Sequence, residues 1–237
     1  MINNEIRYID AHIHTKKTEH KRELPAIYLV NCIDRASVDT VADIKNNYII
    51  KHLGIHPYEE IDPDDDIFDK IELLIKNNND IHIGEIGLDN TDRSPDIDKQ
   101  IPVFEKFISF AVNYNRVANI HCVRAFDKMF CMFKSKNIDS LKGIIHRFEG
   151  SIEIARELIK RGLYLSFHPF IHNNEKNLHI IRNIPIERVF LETDADEIGQ
   201  NTLLIEHYAK TASALQVNED DLIKQTYLNY LRLYYGI

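Results

Sequence analysis

Short runs of β-branched and apolar residues alternate along this chain with longer segments whose apolar positions recur at helical spacing. The runs fall at 8–14, 27–32, 48–55, 81–86, 117–123, 143–148, 163–167 and 188–194, which predicts eight strands in βα units and a parallel sheet. Residues 99–114 place Val103, Phe104, Phe107, Ile108 and Ala111 on one helical face. Residues 151–162 predict a helix capped by Ser151 and stopped by Gly162, which enters the left-handed conformation cheaply. The acidic run 62–66 predicts the first turn of another helix, where carboxylates meet the positive end of the dipole. The last segment puts Leu222, Ile223, Tyr227, Tyr230, Leu231 and Tyr234 on one stripe, with Lys224, Gln225 and Arg232 away from it, and predicts an amphipathic closing helix. Eight strands with interleaved helices in 237 residues predict an α/β protein, a single-domain (β/α)8 TIM barrel over residues 1–237.

Charge narrows the function classes. Lys and Arg total 29 against 37 Asp and Glu, a net −8, so a generally cationic nucleic-acid binder is excluded and a polyanionic substrate would have to be attracted locally. Cys32, Cys122 and Cys131 are too few and too irregularly spaced for a disulfide framework or a four-thiolate zinc site. An odd count suits a reducing compartment. Residues 1–8 lack the apolar core of a secretory signal, and no apolar run reaches the ~18 residues of a membrane span. The expectation is a soluble cytoplasmic protein with no membrane partner.

The polar residues of interest cluster at the C-terminal ends of the predicted strands, where barrel enzymes build their sites. The first strand ends Asp10-Ala11-His12-Ile13-His14. Period-two alternation would set 10, 12 and 14 on one face, with two imidazoles placed to chelate a divalent ion and the acid nearby as orienter. A carboxylate, Glu85, interrupts the apolar fourth strand, where burial is costly unless it is paired or metal-bound. The fifth and sixth strands deliver His121 and His146, and the eighth delivers Glu192 and Asp194. One such histidine is more often a hydrogen-bonded core residue than a ligand. Four histidines and two carboxylates converging from five strands fit two divalent cations bridged by one carboxylate, the arrangement that activates water for hydrolysis. Two such ions against Glu85 and Asp194 would leave the site locally positive.

These segments, in this order, resemble the TatD family of metal-dependent deoxyribonucleases. The similarity rests on Asp10-Ala11-His12-Ile13-His14, Gly54-Ile55-His56-Pro57, Gly84-Glu85-Ile86-Gly87-Leu88-Asp89, His121 with Ala125, His146-Arg147-Phe148-Glu149-Gly150-Ser151 and Leu191-Glu192-Thr193-Asp194-Ala195. It spans residues 10–196, and the segment 226–234 resembles the family's closing helix. The resemblance implies a barrel that hydrolyses DNA with metal-activated water, often from the 3′ end. It implies His12, His14 and Asp194 at a first metal, His121 and His146 at a second, and Glu85 between them, with Asp194 orienting or deprotonating the water. His56 is expected beside the site as a substrate contact, or as a structural residue at a strand end. Asp10 and Glu192 are expected behind the ligands, Glu192 either orienting a histidine or serving only packing. The two metals are expected to be Zn, Mn or Mg, imidazole-rich ligation favouring zinc or manganese.

Substrate-side positions depart from the family pattern. The arginine usual two residues after the fifth-strand histidine is Val123 here, with Arg124 one later, and a one-residue shift turns a strand side chain to the opposite face. Arg147, Glu149 and Asp196 stand where the family carries small residues or proline. Lys16, Lys17, Lys21 and Arg22 after the first strand are either a solvated loop or a patch tracking single-stranded DNA or DNA ends. The alternatives to a DNA substrate are another phosphoester, an amide or ester, or a non-catalytic barrel subunit that binds a protein partner.

Overall fold

The computed structural model describes residues 7–17, 24–139 and 141–237. Eight strands form one parallel sheet in sequence order: β1 (Tyr8–Ile13), β2 (Ala26–Asn31), β3 (Ile49–Leu53), β4 (Ile81–Asp89), β5 (Ala118–Val123), β6 (Gly143–Ile145), β7 (Tyr164–Phe167) and β8 (Val189–Leu191). The helices are α1 (Ser37–Ala42), α2 (Ile67–Asn77), α3 (Ile97–Asn113), α4 (Phe126–Ser135), α5 (Ile152–Lys160), α6 (Glu175–Arg182), α7 (Asn201–Leu215) and α8 (Glu219–Tyr235). The ring closes at the mouth. Ile13 bridges Ala195 in parallel, His14 N donates to Ala195 O at 2.8 Å, and Asp194 N donates to His12 O at 3.0 Å. The (β/α)8 barrel expected from the apolar rhythm is therefore present, and its seam lies among the candidate site residues.

Two apolar layers hold it. The larger packs helix faces on the sheet through Phe68, Phe104, Phe107 and Phe133. The smaller draws Ile9, Leu29, Ile144, Tyr164 and Phe190 from strands around the ring and is joined by Tyr230 and Leu233 of α8. The closing helix thus packs as its stripe predicts. Tyr208 of α7 pins β1, accepting from Ile9 N at 3.1 Å and donating to Ile9 O at 2.9 Å.

Local departures from the sequence reading have physical causes. The run 62–66 precedes α2 rather than entering it. Asp62 accepts from Asp64 N and Asp65 from Ile67 N, both at 2.9 Å, while Arg35 pairs with Asp65 and Asp66, so these carboxylates hold a turn. Helix α3 starts earlier than 99 because Asp96 caps it, accepting from Asp98 N at 2.8 Å. Strands β6 and β8 stop at Ile145 and Leu191, which leaves His146, Glu192 and Asp194 on exit loops. Ser151 caps α5 as expected, accepting from Ile154 N, and Gly162 follows with φ +89°.

Two strands carry an extra residue. Between Asp10 and Ile13, β1 advances three positions while β2 advances two, and β4 does the same between Ile83 and Ile86 against β5. A bulge re-aims the side chains around it, and these two flank His12 and contain Glu85. Beyond the second, β4 and β5 approach so closely at Gly87 that an added Cβ would lie 1.9 Å from His121 O. Gly87→Ala should therefore cost about 1–3 kcal/mol or more, read as a lowered melting temperature by circular dichroism. A melting temperature equal to the parent's would refute the close approach.

Candidate metal centre

Glu85 lies at the middle of the mouth with 2% of its surface exposed. Its two oxygens face different imidazoles. Oε2 is 3.2 Å from His12 Nε2 and 3.6 Å from His14 Nε2. Oε1 is 2.8 Å from His146 Nε2, 3.1 Å from His121 Nδ1 and 3.4 Å from His56 Nε2. Asp194 Oδ1 completes the first side, 3.7 Å from His14 Nε2 and 3.9 Å from His12 Nε2.

The outward nitrogen of each ring decides what the inward one presents. His14 Nδ1 donates to Asn31 O at 2.9 Å. His12 Nδ1 donates to Asn119 Oδ1 at 3.1 Å, and Asn119 is itself fixed by donating to Ala11 O at 2.9 Å. His121 Nε2 donates to Asp89 Oδ2 at 2.8 Å. His146 Nδ1 lies 3.5 Å from Glu192 Oε1, an ion-pair separation. In the neutral rings, protons held on the outer nitrogens leave lone pairs aimed at Glu85 and at one another, with His12 and His14 Nε2 3.2 Å apart and His121 Nδ1 and His146 Nε2 3.1 Å apart. Lone pairs and a carboxylate so arranged need cations between them, so the donor set fits divalent metal. His56 is wired the other way. Its Nδ1 accepts from Tyr58 N at 3.0 Å, which puts the proton of a neutral ring on Nε2 and makes that atom a donor into the site.

The electrostatics carry the same strain. Burial opposes ionisation of Glu85, but His146, His12 and His56 outweigh it and hold its pKa well below the ordinary carboxylate value. Burial also lowers His146, yet Glu85 and Glu192 raise it well above the usual imidazole value, and His12 is raised by Glu85 and Asp194 against burial and His146. His14 is lowered by burial and by His12, and His56 by burial.

A family model described as TatD related DNase matches residues 9–235. The chain belongs to the TatD family. It is 30% identical over 202 residues to an uncharacterized metal-dependent hydrolase of Bacillus subtilis, covering 78% of each chain. Over an alignment of 262 residues it is 27% identical to a putative deoxyribonuclease of Danio rerio, covering 96% of this chain and 97% of the relative. The solved structure of a TatD homologue from Escherichia coli superimposes with a TM-score of 0.81 at 18% identity, covering 98% and 99% of the two chains, a likeness of fold. This TatD chain is thus a metal-dependent hydrolase.

Around the TatD centre, several positions differ from the sequence reading. Asp10 does not orient a histidine ring. The β1 bulge breaks the alternation, and its carboxylate accepts from Thr193 N at 2.9 Å and Thr193 Oγ1 at 2.7 Å, fixing the exit of β8; burial pushes its pKa up to about 7 against those hydrogen bonds. Glu192 both neighbours His146 and accepts from Ser166 Oγ. Arg147 donates to Asp194 Oδ2 at 2.7 Å, and both residues hold the left-handed conformation, φ +45° and +51°. Arg124 lies just past β5, so strand alternation does not govern it. With φ +51° it lines a cleft of about 710 Å³ with His121, His146 and Arg147. Lys17 pairs with Glu197 at 3.0 Å, and Lys16 lines a smaller recess beside His14. Lys21 and Arg22 lie outside the described residues.

Asn31, Asp89, Asn119 and Arg147 take up positions around the candidate ligands that sequence pattern does not reveal. Asp89 ends the fourth-strand motif and Asn119 stands two residues before His121, but only the fold shows which ring each one holds. Asn119→Ala should weaken divalent-metal binding about 10–100-fold in calorimetric titration with the fold retained; unchanged affinity would dismiss its orienting role. Burial notwithstanding, the facing carboxylates favour the protonated forms of His12 and His146, and a metal seated among these groups would have to displace those protons. Metal affinity should therefore fall as the pH drops through the imidazole range, and a flat affinity between pH 5 and 8 would contradict the geometry.

Proposed function

We propose that this protein hydrolyses DNA phosphodiester bonds from a 3′ end with the help of two divalent cations, which Glu85 and the side chains around it would hold. The observation that carries the reading is the division of Glu85, Oε2 toward His12 and His14 and Oε1 toward His121 and His146. Homologues named as deoxyribonucleases support the substrate class. His12, His14 and Asp194 would hold one cation and His121 and His146 the other, with Glu85 available to both. Imidazole-rich ligation favours zinc or manganese over magnesium. When bound, such a pair stabilises the charge on the attacking and leaving oxygens.

The chain's own groups supply the rest. Arg147 donates to Asp194 Oδ2 and favours the ionised carboxylate, so Oδ1 accepts the proton of the attacking water. His56 Nε2 donates to a phosphoryl oxygen. Arg124 and Arg147 line the cleft where the phosphates would run. Tyr58, 49% exposed beside His56, offers a ring on which a base stacks. Lys16 extends the cationic border past His14, with Lys17 pinned to Glu197 behind it.

Chelation should abolish cleavage of an end-labelled oligonucleotide. Asp194→Asn should lower turnover about 10²–10⁴-fold with the fold intact. A 5′ label should yield a ladder of shortened strands and a 3′ label free nucleotide. Parent-like cleavage by purified Asp194→Asn would sink the assignment. Intact oligonucleotides with hydrolysis of small phosphoesters or acyl substrates would remove DNA and leave the metal site standing. Metal binding without any turnover, together with a stable protein partner, would favour a non-catalytic barrel.

A further inference from the structure

The pole of the barrel opposite the metal centre carries a second cleft, of about 520 Å³. Its cations come from the loops that lead into successive strands and from the closing helix: Arg116 before β5, Lys142 before β6, Arg161 before β7, Arg188 before β8, and Arg232 of α8. No Asp or Glu lines it. In a chain with eight more acidic than basic residues, five cations on one cleft without a lining carboxylate call for an explanation.

The bland explanation is that they neutralise helix ends. Helices run against the strands, so α3, α5 and α8 end beside this cleft, and a C-terminal end carries about half a negative charge. Three such ends offset roughly 1.5 charges, and Glu157, 2.9 Å from Arg161 Nε, offsets one more. About 2.5 positive charges are left over. Lys142, Arg188 and Arg232 have no carboxylate partner among the described residues.

The cleft is also fixed before any ligand arrives. Arg188 donates to Gly162 O at 2.9 Å and stacks on Tyr164, and Arg116 donates to Ile75 O at 3.1 Å and Asn79 Oδ1 at 3.0 Å. Lys142 O accepts from Ala118 N at 2.9 Å, which anchors its loop to the start of β5. Two exposed cations, Lys142 and Arg232, remain at the opening. Val112, 51% exposed, supplies an apolar wall above a floor of buried Ala111, Leu141 and Leu233.

We infer that this pole binds a small organic polyphosphate, its phosphates among Lys142, Arg188 and Arg232 and its apolar part against Val112. Several phosphates are needed to match the excess charge, and the volume admits a molecule of nucleotide size. The site is separate from the metal centre, since it lies where the strands begin rather than where they end.

Sodium tripolyphosphate is the probe, titrated calorimetrically with sodium sulfate as control into the metal-free protein, because a polyphosphate would itself draw divalent cations from the loaded one. The parent should bind one equivalent, more weakly as salt rises. The double variant Lys142→Gln/Arg232→Gln should bind at least about tenfold more weakly, while melting and cleaving DNA like the parent in the absence of the anion. Asp194→Asn should bind like the parent. Absence of saturable binding, equal affinity in the double variant, or loss in Asp194→Asn, which would put the anion at the metal centre, would each overturn the inference.

Discussion

A buried carboxylate with five imidazoles around it is the constraint on which this structure turns. An ionised carboxylate withdrawn from water costs several kcal/mol unless opposite charge or hydrogen bonds replace its hydration. Glu85 meets that demand only because β1, β5 and the loops after β3 and β6 bring His12, His14, His121, His56 and His146 to one point. Barrel closure does the bringing. The contacts between residues 12–14 and 194–195 seal the ring and set the first-side groups against each other in one stroke. Fold and site therefore share their most demanding interaction, and a change that opens the seam also separates His12, His14 and Asp194.

Orientation is enforced from behind. Each of His12, His14 and His121 gives its outer N–H to an oxygen held by the scaffold, a side-chain amide, a backbone carbonyl and a carboxylate in turn. Those acceptors are tied as well: Asn119 donates to Ala11 O, and Asp89 accepts from Thr91 N. The outer layer selects the tautomer, so the inner layer presents lone pairs rather than protons. His56 has the opposite wiring and, in the proposed reaction, the opposite role, because its inward nitrogen donates.

Much of this was legible in one dimension, for reasons that also mark the boundary. All eight strands announce themselves because a strand covered on both faces needs consecutive apolar residues, and Glu85 stands out as the exception within such a run. His12 and His14 reach the same place, yet not by simple alternation, since the bulge in β1 intervenes and sends Asp10 to Thr193. Bulges, short strands and left-handed residues leave little trace in hydrophobic period. That is why the apolar runs continue past the true ends of β6 and β8, and why no pattern in the chain points to the Arg147–Asp194 pair. The orienting groups were hidden for another reason. Asn119 meets His12 across 107 positions of chain, a relation that only the closed ring creates.

Net charge and the charge of the proposed substrate are reconciled by placement. Many of the acidic side chains serve local cations or turns, as Asp65 and Asp66 serve Arg35, Glu60 serves Lys99 and Asp39 serves Lys70. The mouth is different, because its carboxylates are the ones facing imidazoles and, in the proposed state, divalent ions. Arg147 then has a double position, bonded to Asp194 and lining the same cleft as Arg124. In the proposed reaction, an arginine there stabilises the ionised form of the base and has further N–H groups for a phosphate oxygen. Val123 ends the fifth strand without a charge, and cationic character enters by Arg124 and Arg147, whose left-handed backbones carry the chain out of the sheet.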